Sequence, residues 1–243
     1  MRERILDSGL WITWYDLPAE GRDAYLSWLH ETYIPELLKR PGYLWAAHYA
    51  AVEKKDVRIH TDDSSVPAGT RYLLLFGAEE ADMFGDPVPS ALHAELPAES
   101  RRMLAMRIGE RVNIMTEAGR VEGPEARDYE GGMALAPCIQ LGSYNCPWQH
   151  EEEMLAWYAQ VRMPAMATTP GGGIRIRKLA SVVGWAKHGI LYEFVSLEAR
   201  NQYFIAHQDR PDMKPWLDWV GKWLIHAPGS SSLARRIWPA VSN

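Results

Sequence analysis

The 243-residue sequence contains an internal repeat, and this repeat constrains the fold more than any other feature. The motif that begins at Trp28 recurs at Trp157, 129 residues later, and the prolines and glycine that follow recur at the same offset. Six identities share this offset: Trp28/Trp157, Pro35/Pro164, Pro41/Pro170, Gly42/Gly171, Tyr15/Tyr144 and Pro18/Pro147. A repeat of this length indicates two copies of one structural unit.

Composition and charge exclude several classes of protein. With 47% hydrophobic and 23% charged residues, the chain can bury a substantial core. A formal net charge of −5 argues against nucleic acid or an anionic membrane surface as the main partner. Two cysteines and no signal-peptide pattern favour a cytoplasmic location, and without a long apolar run we expect no membrane span. No metal-ligand motif is present, so we predict neither a metal nor a cofactor.

Hydrophobic periodicity predicts the same order of elements in both copies. In the first copy, Tyr25, Leu29, Tyr33 and Leu37 recur every four residues and predict a helix over 20–39. The other elements of this copy are strands at 10–16, 43–53, 71–77 and 111–117, a hairpin loop at 54–69 and a broken helical region at 79–108. The second copy is predicted to have strands at 138–145, 173–184, 189–196 and 235–241, with helices at 149–167, 198–208 and 213–225. A linker rich in glycine and charge is predicted at 119–134.

The order βαββαβ predicts an α+β fold made of two tandem ferredoxin-like units, at residues 1–122 and 123–243. Helices cover one face of each four-stranded sheet and leave the other face bare. Two such sheets can close face to face, which removes both the bare faces and the free edges. We therefore expect a pseudo-twofold α+β barrel within one chain.

The helix motif carries a family resemblance. The pattern W-x6-P-x5-PG followed by a strand resembles the dimeric α+β barrel superfamily, and in particular its EthD-like branch. The matching residues are Trp28, Ile34, Pro35, Glu36, Leu37, Pro41 and Gly42, followed by His48-Tyr49. The resemblance implies relatives that include cofactor-free monooxygenases, isomerases, dehydratases and haem enzymes. The histidine that this helix carries in the family corresponds to Tyr33 in the first copy and Arg162 in the second.

Two charged residues of the second copy are the principal catalytic candidates. Arg162 lies on the inward stripe of its helix, and matching LLLF (73–76) with LYEF (191–194) aligns Glu193 with Leu75. Because isolated buried charges are costly, we expect Arg162 and Glu193 to face one another across the helix–sheet space. One interpretation is a structural ion pair, or an arginine whose aliphatic part is buried while its guanidinium reaches solvent. The other is a ligand site in which Arg162 holds a carboxylate or enolate oxygen and Glu193 acts as a base.

Further candidates come from the comparison of the two copies. His48 aligns with Arg177 at the offset of 129, which makes His48 a third catalytic candidate and Arg177 a candidate for binding an anionic group. Aromatic side chains that could contact a substrate are Trp28, Tyr33, Tyr144 and Trp157. A haem ligand at His207 or His226 is an alternative that the resemblance leaves open.

Two function classes remain. The first is a cofactor-independent enzyme that acts on a small apolar or aromatic oxygen-bearing metabolite by proton transfer next to a carbonyl, with isomerase, lyase or monooxygenase-like chemistry. The second is a non-catalytic small-molecule-binding or accessory protein that kept the fold and lost the family histidine. In both classes the expected partner is a small molecule, and the chain is a monomer or homodimer.

Overall fold

The computed structural model describes residues 7–53, 58–126, 136–168, 171–208 and 210–241 of the chain. Its sheet has nine strands, eight of which close into a barrel. The strands are β1 (Gly9–Asp16), β2 (Tyr43–Ala51), β3 (Tyr72–Ala78), β4 (Ile108–Glu122), β5 (Cys138–Asn145), β6 (Gly173–Val183), β7 (His188–Phe194), β8 (Ile225–His226) and β9 (Ser232–Trp238). All pairings between these strands are antiparallel.

Helices pack around the outside of this barrel. They are α1 (Arg22–Trp28), α2 (Ile34–Leu37), α3 (Pro89–Glu95), α4 (Ala98–Leu104), α5 (Glu151–Trp157), α6 (Met163–Thr168), α7 (Leu197–Ala199), α8 (Ile205–Gln208) and α9 (Lys214–Trp223). π-Helical turns at Leu29–Tyr33, Tyr158–Arg162 and Arg200–Phe204 join α1 to α2, α5 to α6 and α7 to α8. Pro35 and Pro164 follow the first two π turns closely, and each lacks the N–H that would continue a regular α-helical pattern.

Closure of the barrel joins the two parts of the chain. Four strands come from the first part, in the order β4-β1-β3-β2, and four from the second, in the order β6-β7-β5-β9. The strands β4 and β6 form one junction, and β2 and β9 form the other. The short strand β8 lies outside this circuit and pairs with the end of β5.

Side chains alternate between the barrel interior and the helical layers, as the period of two of a strand requires. In β1, Leu10, Ile12 and Trp14 point into the barrel, whereas Trp11 and Tyr15 pack under the helices. Three apolar cores result: one inside the barrel, and one between sheet and helices on each side.

The strand register corrects one predicted equivalence. Ile12 pairs with Leu75, and Leu141, which lies 129 residues after Ile12, pairs with Leu191. Leu75 therefore corresponds to Leu191, and the predicted match of Leu75 with Glu193 is wrong by two residues. The similarity between LLLF (73–76) and LYEF (191–194) gave the wrong alignment, because the register of a strand is defined by its cross-strand pairing.

Most predicted elements are present, with two informative differences. The strand β4 runs to Glu122, well into the predicted linker at 119–134, because its second half pairs with β6. Within the predicted hairpin loop at 54–69, His60 forms a parallel bridge with His226, so this part of the loop rests on β8. Residues 54–57 and 127–135 of these two segments lie outside the described residues.

Both cysteines, Cys138 and Cys146, are buried and free of disulfide bonds. In the described part of the chain, no helix has the length and apolar character needed to cross a bilayer.

Candidate functional site

The helical layer of the second half encloses a cavity of about 70 Å3, called the C-terminal cavity below. Its aromatic wall consists of Tyr144, Trp157, Tyr158, Tyr192 and Phe204. Its polar lining consists of Arg58, Gln140, Arg162, His226 and Ser231. Leu217 and Val220 of α9 cover it from outside. Apolar walls with a few converging polar groups are typical of small-molecule sites.

Arg162 is the central polar group of this cavity. The π turn Tyr158–Arg162 presents both of its end residues to the sheet, and the Arg162 side chain is 2% exposed. Its Nε donates a hydrogen bond to the hydroxyl oxygen of Tyr192 at 3.1 Å, and its guanidinium carbon lies 4.7 Å from the centre of the Phe204 ring. Its Nη1 has no hydrogen-bond partner among the described residues. A buried cation with an unused donor therefore borders the cavity.

The other groups on this wall are also mainly donors. The oxygen Oε1 of Gln140 accepts hydrogen bonds from Nε and Nη2 of Arg200, at 3.0 and 2.5 Å, which leaves the Gln140 amide nitrogen as a donor. Burial raises the pKa values of Tyr144 and Tyr158, so both hydroxyls stay protonated at neutral pH. None of the described residues that line the cavity is acidic. The wall is thus complementary to an acceptor-rich, anionic group.

His226 brings a titratable side chain to the same cavity. Pairing of β8 with β5 sets His226 beside Tyr144, with ring centres 5.4 Å apart. The His226 Nδ1 lies 3.3 Å from Oγ of Ser230, and its backbone N–H donates to the carbonyl oxygen of Ile59. An imidazole can accept or donate a proton near neutral pH, so His226 is the residue of this wall best suited to proton transfer.

Three predicted site residues meet in the C-terminal cavity, namely Arg162, Tyr144 and Trp157. The predicted contact between Arg162 and Glu193 is wrong. Arg162 bonds to Tyr192, which faces the helices, whereas the next residue, Glu193, points into the barrel, because neighbouring residues of a strand face opposite sides. Glu193 instead lies 3.5 Å from Arg175.

Arg177 also points into the barrel and takes part in a buried ion-pair cluster. Its Nη1 lies 3.2 Å from Oδ2 of Asp7, its Nη2 donates to the Asp7 carbonyl oxygen, and its Nε lies 2.6 Å from Oε2 of Glu117. Arg120 bridges the same two acids at 2.5 and 2.8 Å. Arg177 is fully buried among these partners and does not line the C-terminal cavity.

The remaining candidates lie in the helical layer of the first half. The Tyr15 hydroxyl lies 2.8 Å from Nε2 of His48, and Nδ1 of His48 lies 2.8 Å from Nε2 of His30. Burial, followed by the neighbouring His30, lowers the pKa of His48 well below its ordinary value. His48 is thus a neutral, fully buried member of a hydrogen-bonded chain.

Tyr33 and Trp28 belong to the same apolar core as Tyr15. The Tyr33 hydroxyl is 2.6 Å from Nε2 of His93, and Nε1 of Trp28 donates to Oγ of Ser100 at 3.4 Å. Neither residue lines the C-terminal cavity. The predicted substrate-contacting aromatics are therefore split between two layers of the structure.

The predicted equivalence of His48 with Arg177 is wrong by one residue. His48 pairs with Leu74, and Lys178 pairs with Ile190, at matching positions in the two halves of the sheet. The cause is visible in the sequence, because five residues lie between Gly42 and His48 but six lie between Gly171 and Lys178. Lys178 faces the helices, as His48 does, whereas Arg177 faces the barrel.

Haem does not fit the C-terminal cavity. A volume of about 70 Å3 is too small for a porphyrin, because Trp157, Tyr158 and Phe204 fill the space between helices and sheet. Of the two histidines that the haem alternative named, His226 lines the cavity and His207 does not.

Sequence comparison assigns no relative. No protein-family model matches the chain, and no curated protein is detectably similar in sequence.

Comparison of structures identifies the fold. An anthrone oxidase-like protein superposes on 94% of this chain and 90% of its own length, with a TM-score of 0.61 and 12% identity. A provisionally assigned monooxygenase from Fusobacterium nucleatum covers 94% and 92%, with a TM-score of 0.58 and 6% identity. This chain has the dimeric α+β barrel fold. A provisionally assigned chlorite dismutase matches over 94% of both chains, with a TM-score of 0.53 and 12% identity.

Proposed function

We propose that this protein is a cofactor-independent enzyme that binds a small aromatic or apolar molecule with an anionic oxygen and transfers a proton next to its carbonyl group. The C-terminal cavity is the proposed site. Arg162 would hold a carboxylate or enolate oxygen, and the aromatic wall would contact the apolar part of the ligand.

One observation carries this proposal. The guanidinium of Arg162 is buried in an aromatic cavity with Nη1 unpartnered and no acidic residue among the described residues that line it. An unpaired buried charge is costly, and an anionic ligand would supply the missing partner. A guanidinium recognises carboxylate and enolate oxygens through short, charge-assisted hydrogen bonds.

His226 replaces Glu193 as the proposed base. It lines the same cavity as Arg162, whereas Glu193 is separated from that cavity by the sheet. An enolate formed by proton removal would carry its charge on the oxygen that Arg162 holds, so Arg162 would stabilise the transition state more than the ground state.

A non-catalytic binding protein is the second candidate. It is favoured by the small cavity, since sites that enclose a whole ligand usually measure several hundred Å3. It is also favoured by the residues at the family's helix histidine, which are Tyr33 and Arg162 here.

Phenylpyruvate is a suitable probe, because it combines an aromatic ring, a carboxylate and an enolisable carbon. We expect binding by tryptophan fluorescence, and exchange of the protons next to the carbonyl in heavy water, followed by NMR. Phenylacetone, which lacks the carboxylate, should bind roughly 10- to 100-fold more weakly, because it forfeits the charged hydrogen bonds to Arg162.

Variants separate the two candidates. Arg162→Met should weaken phenylpyruvate binding and His226→Gln should abolish exchange, whereas Arg102→Met, at an exposed arginine of α4, should change neither. Binding without catalysed exchange would favour the binding protein. Equal affinity of wild type and Arg162→Met would contradict both candidates.

We also propose that the chain consists of two tandem ferredoxin-like units, at 1–122 and 123–243, of the EthD-like kind. In support, the order β4-β1-β3-β2 recurs as β9-β5-β7-β6. The Pro35 and Pro164 motifs follow equivalent π turns. A cytoplasmic location and a monomeric or homodimeric state are part of this proposal, and native mass spectrometry of the purified protein tests the latter.

A further inference from the structure

Lys178 of β6 is a buried amine beneath the helix of the second half, and its side chain packs between two aromatic rings. Its Nζ lies 5.7 Å from the ring centre of Tyr144 and 5.6 Å from that of Tyr158, and the residue is 5% exposed. The amine donates hydrogen bonds to the carbonyl oxygens of Leu179 at 3.1 Å and Gly189 at 3.4 Å. One hydrogen-bonding position of the nitrogen remains for a third partner.

That third partner is an oriented imidazole. Nδ1 of His188 lies 3.5 Å from Nζ of Lys178, and Nε2 of His188 lies 2.9 Å from Oε1 of Glu151. The side chains of His188 and Glu151 are 12% and 22% exposed, so this line of groups runs from the buried amine to the surface. A nucleophile beside an imidazole that a carboxylate orients is a recurring arrangement for covalent catalysis.

The electrostatic environment keeps part of the amine neutral. Burial lowers the pKa of Lys178 from 10.5 to about 8, against the opposing effects of Glu151 and Cys146. Burial also lowers the pKa of His188, and the positive charge of Lys178 adds to this effect. At pH 7.5 roughly a quarter of the Lys178 side chains would be neutral, compared with about one in a thousand for an ordinary lysine.

The first half shows that this position need not hold an amine. The equivalent residue is His48, which accepts or donates a hydrogen bond at Tyr15, while Tyr72 occupies the position of His188. Tyr72 stacks on His48 and provides no imidazole. The combination of lysine, histidine and carboxylate is therefore a property of the second half and does not follow from the fold itself.

We propose that Lys178 is a nucleophilic amine that forms an imine with a small aldehyde or ketone. The Nζ lone pair attacks the carbonyl carbon, and the carbon–oxygen π electrons move to oxygen. His188 takes one proton from the nitrogen and passes it to the alkoxide, which completes the carbinolamine. It then moves the second nitrogen proton to the carbinolamine hydroxyl. That oxygen leaves as water while the carbon–nitrogen double bond forms, so no oxidant or reductant is needed. This chemistry is independent of ligand binding at Arg162.

Reductive trapping tests the proposal. The protein is treated at pH 7.5 with propanal, which has no carboxylate to engage Arg162, and with sodium cyanoborohydride, which reduces imines to stable secondary amines. Peptide mapping then gives a labelling rate for each of the seven lysines. We expect Lys178 to react about 100-fold faster than the exposed Lys187, with a rate that rises with pH and levels off above about 8. Labelling of Lys187 before Lys178 would overturn the proposal.

Three variants sharpen the test. Lys178→Arg keeps a cation at the position and should abolish the fast labelling, which is the fast phase of the reaction. Lys187→Arg changes a residue that contacts the same Glu151 carboxylate and should keep the fast phase. His188→Gln can still accept a hydrogen bond from Nζ but cannot take up a proton, so labelling should slow roughly 100-fold. Circular dichroism establishes that each variant is folded. A fast phase that survives in Lys178→Arg would contradict the assignment of Lys178 as the nucleophile. An unchanged rate in His188→Gln would contradict the assignment of His188 as the base.

Discussion

The guanidinium of Arg175 and the carboxylate of Glu193 face each other inside the barrel, with Nε and Oε2 3.5 Å apart. Both side chains are 1% exposed. Arg175 also lies 3.4 Å from Oε2 of Glu122, so one cation serves two acids. Neither carboxylate oxygen of Glu193 has a hydrogen bond to the described residues. Glu193 is therefore a buried acid that its neighbours solvate poorly.

This environment predicts a pH-dependent stability. Burial raises the pKa of Glu193 from 4.5 to about 7, and the nearby Arg175 and Arg177 only partly offset the effect. A raised folded-state pKa gives stability that is present below pH 4.5 and is lost as the pH rises through 7. The loss amounts to about 3 kcal/mol, and Glu193→Gln should abolish it. Urea denaturation at pH 5 and pH 7.5 measures the difference between the two proteins.

The matched control for this comparison is Glu36→Gln, at a glutamate whose side chain is 59% exposed. It should keep the pH dependence of the wild type. If Glu193→Gln and the wild type lose stability in parallel between pH 5 and 7.5, Glu193 is not the group that titrates.

Arg162→Met should leave the fold as stable as before, or more stable by about 1–2 kcal/mol. The arginine has no acidic partner in the C-terminal cavity, so its removal leaves no buried charge unpaired and relieves the desolvation cost of the guanidinium. Methionine fills much of the same volume. Urea denaturation checks this, and a loss of 3 kcal/mol or more would identify a structural ion pair instead.

The sequence predicted the architecture because its signals are local and occur twice. The helix motif at Trp28 and Trp157 and the alternation of the strands locate most elements within a few residues. The strand β8 escaped prediction because a two-residue strand has no periodicity to detect.

The site was harder to predict, because it depends on register and on contacts between distant segments. Glu193 was expected to face the helices, but the alternation of strand β7 turns it into the barrel. Arg177 was aligned with His48, but the equivalent residue is Lys178, and a shift of one residue turns a strand side chain to the opposite face. Arg58 and His226 both line the cavity because His60 forms a bridge with His226 of β8. No sequence pattern predicts this bridge. No sequence feature identifies Gln140 as a site residue. Its role as a donor follows only from the structure, in which Arg200 donates a hydrogen bond to its amide oxygen.

Gly77→Ala should destabilise the protein by about 3 kcal/mol. A Cβ at Gly77 would lie 2.1 Å from Cε2 of Trp45, whose indole is held in place by a hydrogen bond from Nε1 to Asp7. The ring would have to leave a packed barrel interior. Gly221→Ala is the matched control, because a Cβ there meets nothing within 4 Å, and helix α9 should gain up to about 1 kcal/mol. Thermal unfolding of both variants tests this prediction. Equal changes in stability for Gly77→Ala and Gly221→Ala would contradict it.

His48→Gln should make the protein less sensitive to acid. His48 is fully buried, and its lowered pKa means that the folded protein resists the protonation that the unfolded chain accepts below pH 6.5. Stability from this residue is therefore present above pH 6.5 and is lost as the pH falls, with the loss continuing until the folded-state pKa is reached. Glutamine at this position can form hydrogen bonds to Tyr15 and His30, as His48 does, but it does not titrate. Urea denaturation between pH 7 and pH 5 should show a shallower decline for His48→Gln than for His150→Gln, a change at a histidine near the exposed start of α5. Identical declines would mean that His48 is already protonated in the folded state.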